Sequence, residues 1–210
     1  MPVTSEMIEL LPGKRLAILN GKGGVAKTTS AVALATAAVR RGYKVNAIDA
    51  DDQGSLTSWW SEAQKSSPEP LGWTTRSMNT YELEMLAGTP VEPGTLEIID
   101  CPPKEPQVLN LAAAAADFII VPTSPSNEEV KQVWKVLKAV GSIPTAVLIV
   151  KAKLRTNNFK RVTEAFDEAK VPYFTNVIVD REDIRSWGGT VPTRLFGYDD
   201  VLVELEEAMK

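Results

Sequence analysis

The chain has no histidine and a single cysteine, Cys101, in 210 residues. These absences exclude an intramolecular disulfide, zinc sites of the Cys/His kind and histidine-based triads. Any catalysis must rely on carboxylates, lysines and bound ions. Apolar runs stop short of the roughly 20 residues a membrane-spanning helix needs. The opening MPVTSEMIELLPGK lacks the basic start and apolar stretch of a signal peptide. A cytosolic protein is expected. Excess positive charge is also missing: the formal net charge is -4, so attraction to nucleic acid or anionic lipid would need a local patch.

What is present is a large apolar fraction, 44%, with 24% charged residues, enough for a substantial core in one globular domain. Residues 1–14 read as a short N-terminal extension and 15–210 as the domain. Short runs rich in branched residues alternate with stretches of helical spacing, the pattern of a parallel sheet covered on both faces. Strands are expected at Leu16 to Leu19, Val45 to Ile48, Leu96 to Ile99, Phe118 to Val121, Ala146 to Val150 and Phe174 to Ile178. Helices are expected to begin near Lys27, Ser55, Gln107, Asn127, Asn157 and Glu182. The proline- and glycine-rich stretch between the second and third of these strands reads as a loop-rich connection with one short strand and one short helix. Right-handed crossovers then give a doubly wound, mostly parallel α/β domain, with its ligand at the carboxyl ends of the strands.

The sharpest local signal is LAILNGKGGVAKTT, an apolar strand running through a glycine-rich turn into an alanine-rich helix. Amides of such a turn and of the helix N-terminus converge on phosphate oxygens. The binding set is Gly21, Lys22, Gly23, Gly24, Val25, Ala26, Lys27, Thr28 and Thr29. Lys27 would reach the β- and γ-phosphates, and the Thr28 hydroxyl would ligate magnesium. Ala26 stands where the common phosphate-loop pattern carries glycine. A Cβ there is expected to require φ below zero.

KGGVAKTT resembles the deviant Walker A motif, K-G-G-x-G-K-T-[ST], of the ParA/MinD group of ATPases, and differs from it at Ala26. The resemblance covers nearly the whole domain and implies ATP as the nucleotide and slow hydrolysis. It makes Lys22 the lysine that contacts phosphates across a nucleotide-sandwich dimer. VNAIDADDQGSLTSWW is similar to the group's D-x-D-P-Q-G-S segment. That likeness makes Asp51 the residue that positions or activates the attacking water, with Asp49 supporting the magnesium shell; Asp52 replaces the usual proline, which bears on the loop's rigidity. TLEIIDCPPKEP resembles a Walker B strand ending in Asp100, a carboxylate able to hold a magnesium-bound water. FIIVPTSPSNEEV looks like the segment bordering base and ribose, with Pro122 and Pro125 in the expected places.

Branches of that group differ in features that can be checked. One cysteine cannot supply the cluster ligands of a nitrogenase-type iron protein. The tail DDVLVELEEAMK carries Glu204, Glu206 and Glu207 away from its apolar face, which argues for docking on the core rather than on an anionic membrane. With about a dozen residues before the first strand, no helix-turn-helix region is expected. The resemblance then points to a short ParA-type partition or positioning ATPase. Such a protein dimerises on ATP, binds DNA without sequence preference near the nucleoid, and is reset by a ParB-like or other adaptor. Lys151, Lys153, Arg155, Lys160 and Arg161 form a candidate DNA surface, with a second contribution from Arg181, Arg185 and Arg194. The same cluster also reads as an ordinary solvated face, and Lys151 or Lys153 as a border of the nucleotide site. A nucleotide-gated protein-binding switch without DNA contact is the alternative function.

Overall fold

The computed structural model describes residues 12–210; most of the expected N-terminal extension lies outside them. Six parallel strands form one sheet in the order β3-β2-β4-β1-β5-β6. They are β1 (Lys14–Ile18), β2 (Lys44–Asp49), β3 (Trp73–Ser77), β4 (Thr95–Asp100), β5 (Phe118–Thr123) and β6 (Thr145–Ile149). The helices are α1 (Lys27–Arg40), α2 (Ser55–Ser66), α3 (Thr80–Leu86), α4 (Pro106–Ala115), α5 (Asn127–Val140), α6 (Asn157–Glu168), α7 (Glu182–Arg185) and α8 (Tyr198–Ala208). The single doubly wound α/β domain expected from the apolar pattern is what forms.

Alternation along each strand fills two cores. Leu16 and Ile18 face the layer of α1, α2 and α8, while Ala17 and Leu19 face that of α3 to α6. Small side chains at Ala31, Ala33, Ala35, Ala37 and Ala38 line α1, which is buried along most of its length because alanine allows close approach to the sheet. The tail helix docks as expected, with Val201, Leu202 and Leu205 buried in the α1 layer. Its glutamates are used internally. Glu206 takes two hydrogen bonds from the Arg41 guanidinium, at 2.8 and 2.6 Å, and one from the Tyr43 hydroxyl.

Two elements depart from expectation. The run Phe174 to Ile178 does not make a seventh strand: isolated bridges flank it, Tyr173 with Val147 of β6 and Val179 with Ala152 beyond β6, and within it only the amides of Phe174 and Ile178 reach β6 carbonyls, those of Val147 and Ile149. The reason is Glu204, whose carboxylate accepts from the amides of Thr175 and Asn176, both at 2.7 Å, and from the Asn176 side chain. Burial works against ionisation of Glu204, but these donors outweigh it and hold the carboxyl below its ordinary pKa. The helix expected near Glu182 is a four-residue turn, α7. In the connection after α2, the short strand and helix do form; β3 extends the sheet edge, and the Asn79 side chain caps α3 by accepting the Glu82 amide while its own amide donates to the Glu82 carboxylate.

At the amino ends of the strands, Arg15 is 3% exposed. Its Nε donates to Glu97 at 2.7 Å, and one terminal nitrogen donates to the carbonyls of Leu86, Thr89 and Ala115 at 3.0, 3.3 and 3.1 Å. Leu86 and Ala115 end α3 and α4, neither of which has a basic residue in its last turn. One guanidinium therefore satisfies carbonyls at two helix C-termini.

Candidate functional site

Register assembles the three motifs. Across neighbouring strands, Ile18 of β1 pairs with Asp100 of β4, and Asp100 pairs with Asp49 of β2. The loops after these strands consequently open at one point of the carboxyl edge, above a cavity of about 530 Å³. Its wall includes Gly23, Gly24, Ala26, Lys27, Thr28, Thr29 and Asp51. The volume lies within the range of small-ligand pockets, roughly 300–1,000 Å³. Gly21, Lys22 and Val25, though in the same loop, do not line it.

The loop runs from the end of β1 to the start of α1. Asn20 ties its root down: the side-chain amide donates to the Pro122 carbonyl at 2.8 Å, and the side-chain oxygen accepts the Lys22 amide at 3.0 Å. The Lys27 ammonium donates to the Lys22 carbonyl at 3.0 Å. Burial pulls the Lys27 pKa down, against the opposing pull of Asp100 and weaker charges. The expectation for Ala26 is overturned. It sits in the left-handed region, with φ 63° and ψ 32°, and caps α1. The turn keeps the backbone path a glycine would take, and the neighbouring structure holds the strained residue there. Replacing Ala26 by Gly should accordingly stabilise the domain by about 1 kcal/mol, a rise in Tm of about 2–4 °C. An unchanged or lower Tm in thermal unfolding would refute the strain.

Beneath the loop, the Thr28 hydroxyl donates to Asp100 Oδ2 at 2.6 Å. Asp100 Oδ1 is buried without any hydrogen-bond partner. Burial pushes the Asp100 carboxyl up to about 7, helped by nearby Asp49 and Asp51 and opposed by Thr28 and Lys27. An orphaned carboxylate oxygen beside a threonine hydroxyl, under a phosphate-binding turn, fits a divalent cation. The described residues hold no cluster of three or more ligating side chains. Thr28 and Asp100 would hold such an ion, and oxygen donors of this kind suit Mg2+.

The loop after β2 is shaped by Asp49, which is 1% exposed. Its two oxygens accept the amides of Asp51, at 3.2 Å, and Thr57, at 2.8 Å. Asp51 in turn accepts the Gln53 amide at 2.9 Å through Oδ1 and the Gly54 amide at 2.8 Å through its carbonyl. Hydrogen bonds thus supply the rigidity that a proline at Asp52 would have given. Asp51 lines the cavity and Asp49 does not. Asp49's demonstrated work is to hold the loop. Cys101 is fully buried and its thiol is pushed up by burial, so it offers no nucleophile.

The far wall was not legible. Pro122 and Pro125 were expected beside base and ribose, but neither lines the cavity. Ile178, Val179, Ile184 and Trp59 provide the apolar surface instead, with Tyr198 behind them. The indole of Trp59 donates to the Thr190 carbonyl at 2.8 Å, tying α2 to that wall. The basic candidates divide. Lys151, Arg181 and Arg185 line the cavity, and Arg185 pairs with Asp180 at 2.6 Å and Glu182 at 3.0 Å. Arg181 and Arg194 lie over the ring of Phe196, at 5.0 and 5.4 Å from its centre. Lys153, Arg155, Lys160 and Arg161 are exposed on the loop after β6 and on α6, with Lys160 loosely paired to Glu164.

A parallel sheet with a glycine-rich turn and two aspartate-ended strands meeting at its carboxyl edge defines a P-loop nucleotide-binding domain. Residues 16–190 match the family described as the CobQ/CobB/MinD/ParA nucleotide binding domain. The chain belongs to that family. It is 41% identical over 113 residues to the maintenance of carboxysome distribution protein A of Gloeobacter kilaueensis, covering 53% of this chain and 49% of that protein. It is 33% identical over 135 residues to the chromosome-partitioning ATPase Soj of Thermus thermophilus, covering 52% and 54%. The chain thus spans about half the length of these two relatives. Among solved structures, a Cyanothece McdA–ATP complex superposes with a TM-score of 0.71 over 96% of both chains, at 18% identity, a likeness of fold. No described helix is long and apolar enough to cross a membrane.

Proposed function

We propose that this chain is an ATP-driven positioning or partition switch. ATP bound in the cavity joins two copies into a sandwich dimer, the dimer holds DNA without sequence preference near the nucleoid in the cytoplasm, and an adaptor protein resets it by stimulating hydrolysis. The observation that carries the nucleotide half is the Thr28–Asp100 pair with its orphaned oxygen beneath the turn. The names of the relatives support a cargo that is a chromosome locus or a protein body such as a carboxysome; a plasmid is a further candidate.

Each side chain has a task in this reading. Lys27 leaves the Lys22 carbonyl for the β- and γ-phosphate oxygens. Turn amides and Thr29 seat the phosphates. Asp51 orients the attacking water and accepts its proton, while Asp49 holds the Asp51 loop and, through its remaining lone pairs, water of the cation's shell. Thr28 and Asp100 would hold Mg2+, which neutralises charge on the phosphate oxygens when bound. Lys22 of each subunit completes the partner's pocket.

The exposed Lys153, Arg155, Lys160 and Arg161 are the residues assigned to DNA phosphates. With about four phosphates contacted, log affinity should fall against log salt with a slope near -4. Charge reversal, Arg155→Glu with Lys160→Glu, should remove ATP-dependent binding in an electrophoretic shift assay; unchanged binding would eliminate this surface. The second reading, a protein-binding switch without DNA contact, is favoured by the cavity-facing positions of Lys151, Arg181 and Arg185, which leave fewer cations for DNA. ATP turnover measured with DNA alone, adaptor alone and both separates the two.

A further inference from the structure

Lys151 holds a left-handed backbone conformation, φ 51°, that lysine rarely adopts. Its neighbours impose it. The Val150 amide donates to the Thr123 carbonyl at 2.8 Å, the Ala152 amide to the Ile178 carbonyl at 2.9 Å, and the Asp180 amide to the Ala152 carbonyl at 3.0 Å. Val150 and Ala152 are buried, so the corner between them is fixed from both sides. The side chain projected from that corner reaches the phosphate loop, where its ammonium donates to the Gly24 carbonyl at 2.7 Å.

The loop needs such a bond. A Cβ built at Gly21 or Gly24 would meet nothing within 4 Å, and one at Gly23 only the Pro103 ring at 3.9 Å. Packing therefore leaves the glycines of the turn unconstrained, although Val25 beside them is buried, and the strained Ala26 at the turn's end favours relaxation out of it. In a trans peptide the carbonyl and the following amide point in opposite directions, so holding Gly24 O also sets the direction of the Val25 N–H. We infer that Lys151 is a positioning residue of the nucleotide site: it clamps the Gly24 carbonyl and keeps the turn in its phosphate-ready shape. This rests on the nucleotide reading of the cavity, and it takes Lys151 out of the DNA-facing set.

The test is titration of a fluorescent ADP analogue and a non-hydrolysable ATP analogue, each with Mg2+, against the full chain. Lys151→Met should weaken both about tenfold, the scale of one charge-assisted hydrogen bond, and Lys151→Arg should restore most of the loss. In an Ala26→Gly background the same Lys151→Met change should cost only about threefold, because the turn no longer resists its conformation. Binding by Lys151→Met within twofold of the parent would overturn the clamp while leaving the nucleotide site standing. An equal loss in both backgrounds would show that Lys151 acts on the nucleotide's charge directly and would also overturn it. A parent chain that binds neither analogue would overturn the nucleotide reading and the clamp together.

Discussion

Lys22→Ala is expected to lower adaptor- or DNA-stimulated ATP turnover by about 10³, the low end for a charge supplied from a neighbouring subunit, while nucleotide binding to the single chain changes little. The split follows from geometry. Lys22 does not line its own cavity, and its ammonium lies 3.6 and 3.5 Å from Glu128 and Glu129 at the start of α5. Glu129 is itself engaged, accepting the Ser124 amide at 2.6 Å. Within one chain the lysine is therefore parked on acidic side chains, and in the proposed function its own phosphate site falls to Lys27. Only a second copy would bring such an ammonium to the γ-phosphate. Lys27→Ala, by contrast, should lose binding itself. Retention by Lys22→Ala of both stimulated turnover and ATP-dependent dimers in analytical ultracentrifugation would defeat the assignment.

The largest stability effect is expected at the opposite end of the sheet. Arg15→Ala should cost about 3–5 kcal/mol, because it strands a carboxylate and helix-end carbonyls in a region with little water to replace the guanidinium. The lost partners are Glu97 and the carbonyls of Leu86, Thr89 and Ala115. A urea titration reads the change as a lower midpoint at unchanged slope. Removing Glu97 as well should recover part of the loss, since the largely buried carboxylate is then no longer left unpaired. A cost below about 1 kcal/mol for Arg15→Ala would show that the buried cation contributes no more than a surface ion pair.

Strand runs such as Leu16 to Leu19 and Leu96 to Ile99 could be read directly, because strands buried on both faces need unbroken apolar sequence. The phosphate loop was legible for a related reason: its glycines, Lys27 and Thr28 all lie in the short contiguous stretch Gly21 to Thr28, so spacing alone places them on one turn. Ala26 was misjudged since sequence gives no measure of how strongly the surrounding chain holds a residue at positive φ. The run Phe174 to Ile178 has strand composition, yet a carboxylate from α8, 28 residues further on, takes amides that a ladder would have used. Arg15 gave no signal beyond its type, because its partners come from β4 and from the ends of α3 and α4.

The sequence by itself determined the alternation of strands and helices, the phosphate loop and the aspartates that end β2 and β4, since each depends on contiguous residues or on local periodicity. Tertiary structure decided which aspartate oxygen stays unpartnered, which basic residues line the cavity, and what forms the apolar wall opposite the loop. Those outcomes depend on strand order and on side-chain bonds between residues far apart in the chain, 127 positions for Lys151 and Gly24 and 131 for Trp59 and Thr190. Composition and spacing carry no record of such distances.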